Sequence, residues 1–71
     1  GLASAGIGLF SDRRLKTDIR RVGQTDEGTP IYTYRYAWGG PVQMGVMAQD
    51  VPEARIMDPS GFWRVDYERV Q

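Results

Sequence analysis

The sequence predicts an α+β domain: a small, mostly antiparallel β-meander with short helical turns. β-Branched and aromatic residues gather in short runs, most clearly Ile31-Tyr32-Thr33-Tyr34-Arg35-Tyr36-Ala37. That is the composition of a pleated, half-buried strand. Glycine- and proline-bearing turns separate the runs at residues 24–28, 38–41 and 58–61, as hairpin returns require. The helical signals are single turns stopped at once, as where Pro52 follows Ala48-Gln49-Asp50-Val51.

In chain order, residues 1–10 form a low-complexity leader, and residues 11–71 the domain itself. The leader's three glycines each weaken a helix by roughly 1 kcal/mol against alanine. It reads as a linker, as the end of an upstream element, or as a small-residue interface between copies. A bilayer span needs about 20 apolar residues, and the basic start of a signal peptide is missing, so no membrane span is expected. A glycine rather than a methionine at position 1 suggests a piece excised from a longer protein.

From Leu15 the pattern alternates, with Leu15, Thr17 and Ile19 on one face and Lys16, Asp18 and Arg20 on the other. Period two predicts a strand. Gln24–Gly28 turns the chain into the aromatic strand, on which Tyr32, Tyr34 and Tyr36 share a face. Trp38-Gly39-Gly40-Pro41 closes a hairpin with Val42–Val46, in which Gly45 predicts a bulge or a close backbone approach. Ile56-Met57 and Phe62–Val65 flank a turn with Pro59 at its second position. Asp66 is placed to cap a short helix over Tyr67–Val70.

Seventy-one residues make one small domain whose core alone is marginally stable. The chain has no cysteine and no histidine, which removes disulfides and the usual zinc ligands. Self-association is the remaining supplement, so a homo-oligomer is expected, and no cofactor or metal. Nine basic residues balance nine acidic ones, which argues against electrostatically driven binding of nucleic acid. The basic residues nevertheless cluster early (Arg13 to Arg21) and acidic ones later (Asp50, Glu53, Asp58), a split suited to head-to-tail contact. The tyrosine row with Arg35 resembles a base-stacking platform, but such rows serve equally as core or subunit interface. Met44, Met47 and Met57 are expected as core filler, and Trp38, Phe62 and Trp63 as packing residues.

The chemistry-bearing pair is Ser11 and Lys16. Out of context, Ser11-Asp12 is a cap or turn and Lys16 a solvated strand residue. Together they are the minimum equipment for cutting a peptide bond without histidine. The hydroxyl needs an adjacent base, and a lysine serves only if burial lowers its pKa from about 10.4. On one helix the two side chains diverge by about 140°, and on one continuous strand they face opposite ways. Pairing therefore needs a turn between them, or a lysine from another copy.

Four ordered blocks carry a resemblance: Ser11-Asp12-Arg13-Arg14-Leu15-Lys16-Thr17-Asp18-Ile19, Gly45-Val46-Met47-Ala48-Gln49-Asp50-Val51, Pro52-Glu53-Ala54 and Val65-Asp66-Tyr67. In combination they resemble the C-terminal intramolecular chaperone domain of phage endosialidase tailspikes and tail fibres. They are also similar to the self-cleaving domain of myelin regulatory factor. The resemblance implies a trimer that helps an upstream fibre segment of the same chain fold, then cuts itself off at Phe10–Ser11. It implies Ser11 as nucleophile, Lys16 as general base, Gln49 and Asp50 as support for the backbone near the serine, and a place in the virion after assembly in the host cytoplasm. The chain departs from the family in a shorter segment between Val51 and Pro52. It also stops at Gln71, where the family continues into a coiled coil. The alternative is a permanently attached, non-cleaving cap or connector of a virion protein.

Overall fold

A computed structural model of the chain describes residues 9–70. The expectations for residues 1–8 lie outside that range. Leu9–Phe10, the leader's last two residues, form strand β1. Strands β2 (Lys16–Gln24), β3 (Pro30–Tyr36), β4 (Gln43–Gly45), β5 (Arg55–Met57) and β6 (Trp63–Val65) follow. They make two three-stranded antiparallel sheets, ordered β2-β3-β4 and β1-β6-β5. The mostly antiparallel meander is present. Among the described residues the helical part consists of single 3-10 turns at Arg13–Leu15, Ala48–Asp50 and Tyr67–Arg69.

Local chemistry sets each hairpin. The β2–β3 reversal is closed by Gly28 N–H donating to Thr25 O at 2.9 Å. At β3–β4, Gly39 and Gly40 take φ of 100° and 102°, a region that L side chains resist. At β5–β6, Gly61 N–H donates to Asp58 O, while the Asp58 carboxylate accepts from Ser60 N–H and from Arg64 Nε. Asp66 caps its 3-10 turn by accepting from Glu68 N–H.

A small core of Val46, Ala48, Val51, Ala54, Val65 and Tyr67 gathers beside β6, with Trp63 and Val70 packed against it. Ala48 N–H donates to Ser11 O at 2.8 Å, and Asp66 N–H to Ala54 O at 2.8 Å. Both bonds tie segments far apart in sequence. The first clasps the start of the domain to its later half.

Three expectations need correction. Lys16, placed by alternation on the polar face, is buried, whereas Thr17 is exposed. The strand begins at Lys16 itself, and Asp18, with φ of 52°, sits in a register shift between Thr17 and Arg20. A bulge resets alternation. Met47 is fully buried, but Met44 and Met57 are about half exposed because they lie on β4 and β5, edge strands of the two sheets. Trp38 is exposed rather than packed in the core, stacking on Tyr36 just beyond the end of β3.

Candidate active site

Ser11 and Asp12 follow β1 and enter the first 3-10 turn, which ends at Leu15; Lys16 then opens β2. This is the turn that the spacing of Ser11 and Lys16 demands, and it brings both side chains inside. Ser11 and Asp12 have no solvent exposure and Lys16 has 6%. Such a concentration of polar groups is stable only if each is bonded, and each is.

Asp12 organises the entrance. Its carboxylate accepts from Arg14 N–H, Nε and Nη2, from Gln49 Nε2 and from Trp63 N–H, at 2.8 to 3.1 Å. The Arg14 side chain, first among these, holds the carboxyl well below the usual range against the opposing effect of burial. Gln49 also accepts from Arg13 N–H at 3.0 Å, so one amide bridges the loop after Ser11 to the 3-10 turn at Ala48–Asp50. Asp50, expected beside Gln49 in support of the serine, is exposed at the end of that turn, and its N–H donates to Met47 O. Its side chain does not join the cluster.

The Ser11 hydroxyl lies 3.3 Å from the Tyr67 hydroxyl, which also accepts from Val46 N–H at 3.4 Å. Lys16 Nζ donates to Val46 O at 3.0 Å and rests 3.8 Å above the centre of the Tyr34 ring. Burial lowers the lysine pKa to about 7, opposed by the Asp12 carboxylate and assisted by Arg13. Lys16 thus bonds Val46 directly, and Ser11 is joined to the same residue through the Tyr67 hydroxyl, rather than the two bonding each other.

Gly45 makes the convergence possible. A Cβ there would stand 2.6 Å from the Tyr67 hydroxyl and 3.3 Å from the Tyr34 hydroxyl. This is the close approach predicted for that glycine. On the other side of Ser11, its N–H donates to Trp63 O at 3.1 Å, and the Phe10 carbonyl accepts from the Tyr36 hydroxyl at 2.7 Å. Both ends of the Phe10–Ser11 peptide are held.

Asp12, Tyr34, Tyr36 and Tyr67 were not singled out by sequence reasoning as site residues. Their signals were present: Asp12 adjoins the serine, Tyr67 ends the last resembling block, and the tyrosine row runs toward Lys16. Tyr34 is buried against Lys16 and Tyr36 is engaged with Phe10, so that row is not free to stack bases.

A family model described as chaperone of endosialidase matches residues 11–60. The chain belongs to that family. The match to the chaperone-of-endosialidase family opens on Ser11 and takes in Asp12, Lys16, Tyr34, Tyr36, Gly45, Val46 and Gln49; Tyr67 lies beyond it. No curated protein and no solved structure matches the chain. Among the described residues no helix is long and apolar enough to cross a membrane, and no group of three or more acidic side chains could hold a metal ion.

Proposed function

We propose that this chaperone domain trimerises at the C-terminal end of a phage tail fibre or other virion protein, assists folding of the preceding segment, and releases itself by one cut at Phe10–Ser11. The observation that carries the cut is the buried amine of Lys16, with a pKa near neutrality, joined to the buried Ser11 hydroxyl through Val46 and the Tyr67 hydroxyl. In the reaction the Ser11 hydroxyl adds to the Phe10 carbonyl carbon while neutral Lys16 takes its proton. The C–N bond breaks as the ammonium returns that proton to the Ser11 nitrogen, leaving the Phe10 acyl group as an ester on Ser11 Oγ. Water hydrolyses the ester, giving a Phe10 carboxylate and a free Ser11 hydroxyl and amine. Lys16 must leave Val46 O to reach Ser11, the kind of tightening that accompanies approach to a transition state.

The oligomer is supported by the sheet edges. Strands β4 and β5 are edges, and they carry exposed Met44, Ile56 and Met57. Uncovered apolar edges invite pairing, and sister chains would cover them. Three chains held together lower the closure cost of long-range fibre contacts.

The test is intact mass of the assembled protein with its upstream segment, followed over time beside Ser11→Ala and Lys16→Ala. Products ending at Phe10 and beginning at Ser11 should form in wild type alone. The lysine's bond to Val46 O rather than to Ser11 favours a second reading, the permanently attached cap. An assembled wild-type trimer that stays whole would establish it and remove the protease.

A further inference from the structure

We propose that Tyr36 is a catalytic residue of the self-cleavage, donating its phenol hydrogen to the Phe10 carbonyl oxygen and stabilising the negative charge that forms there when Ser11 attacks. This rests on the cleavage reading above. The Tyr36 hydroxyl already donates to Phe10 O at 2.7 Å in the uncut chain, and a donor so placed meets the charge as it develops on that oxygen.

The position is built rather than incidental. Tyr36 ends β3 directly across from Lys16, so one rung of the sheet carries both the base and the donor. Its ring is stacked on Trp38, with centroids 4.5 Å apart and planes 6° apart, and meets the Tyr34 ring edge-on at 5.5 Å. The acceptor is fixed as firmly. Phe10 pairs with Arg64 across β1 and β6, the Arg64 guanidinium lies 3.9 Å above the Phe10 ring, and Ser11 N–H is held by Trp63 O. Burial raises the Tyr36 pKa, so the phenol remains a neutral donor where Lys16 becomes a neutral base.

The electron balance is that of the reaction already written. As the Ser11 oxygen bonds to the Phe10 carbon, the carbonyl π pair moves to Phe10 O, where the phenol O–H meets it. When the C–N bond breaks, the pair returns and the hydrogen bond relaxes. Tyr36 transfers no proton.

The experiment follows cleavage rates across pH for the assembled protein with its upstream segment, in wild type, Tyr36→Phe and Tyr36→3-fluorotyrosine. Melting and native mass report whether each variant folds and assembles. Tyr36→Phe should cleave about 10²–10³-fold more slowly at every pH, with the Lys16 midpoint near 7 unmoved. The fluorinated phenol, a more acidic donor of nearly the same shape, should cleave faster than wild type at low pH. It should then lose rate at high pH as it ionises, a descending limb that an anchoring role would not create. Wild-type rates in Tyr36→Phe would overturn the assignment and leave the Ser11–Lys16 reading standing. Should Tyr36→Phe fail to fold, a fluorinated protein with the wild-type pH profile would overturn it equally. A wild-type protein that never cuts removes both.

Discussion

Replacing Asp12 with asparagine should destabilise the domain far more than removing its ion-pair partner. Five donors meet the carboxylate, and asparagine offers only one acceptor oxygen. In its better orientation that oxygen keeps Arg14 N–H, Arg14 Nε and Gln49 Nε2, and the new amide N–H faces Arg14 Nη2 and Trp63 N–H. Stranding the Trp63 N–H costs about 1–3 kcal/mol. Taking the acceptor's charge from the bonds to Arg14 N–H and Gln49 Nε2 makes those two neutral and adds about 1–2 kcal/mol; the Nε bond stays charge-assisted through the guanidinium. Arg14 keeps its N–H and Nε bonds, and its Nη2, on a side chain 59% exposed, keeps Gly61 O and turns otherwise to water at little cost. The sum is about 2–5 kcal/mol, against a whole stability of about 4–10 kcal/mol for a chain of this length. Arg14→Ala should cost much less, because that side chain is largely in water. Urea denaturation followed by the fluorescence of Trp38 and Trp63, at one protomer concentration, measures both. Because the folded carboxyl is held below its unfolded value of about 3.9, the native state binds fewer protons there. Stability should fall with acid in wild type and fall less in Asp12→Asn. Equal destabilisation by Asp12→Asn and Arg14→Ala would refute the claim that the buried carboxylate, rather than the surface ion pair, holds this region.

Self-cleavage should rise with pH to a plateau, with a midpoint near 7 set by loss of the Lys16 proton, and Lys16→Met should abolish it at every pH. The same group makes folding release a proton between pH about 7 and the unfolded lysine value of about 10.4. Stability should therefore increase with pH across that window, and urea midpoints of Lys16→Met should lack the increase. Gly45→Ala should cost about 1–3 kcal/mol by overpacking and slow cleavage by pushing the Tyr67 hydroxyl from Ser11. Gly23→Ala, where a Cβ meets nothing within 4 Å, should stay within about 0.5 kcal/mol of wild type.

Much of the local structure was legible because local chemistry decided it. Gly39-Gly40, Asp58-Pro59-Ser60-Gly61 and the proline after Val51 forced their turns, and the aromatic run could only be a strand. Lys16 was misread because the periodicity argument assumes an unbroken strand, and a register shift near Asp18 breaks this one. The pairing of β1 with β6 was illegible for a different reason. It joins Leu9 to Val65, and nothing in a two-residue strand specifies a partner so distant. The site inherits that non-local character. Ser11, Lys16, Val46 and Tyr67 come from four separate segments, so their assembly depended on a topology that short-range patterns do not encode. The ordered blocks nevertheless marked all four.

Under the self-cleavage reading, that dependence explains when the cut happens. In the unfolded chain a lysine with a pKa of about 10.4 is neutral in about 1 molecule in 2,500 at pH 7. Once buried among Tyr34, Val46 and their neighbours it is neutral in roughly half. Folding alone thus raises the supply of base by about 10³-fold. The same event seats Ser11 against Tyr67 and fixes the Phe10 carbonyl on Tyr36, both of which require β1 to have found β6 and β3 to have found β2. A domain whose nucleophile, base and carbonyl clamp all await long-range pairing cannot cut before its own fold is complete. Under that reading the trigger is burial of the amine.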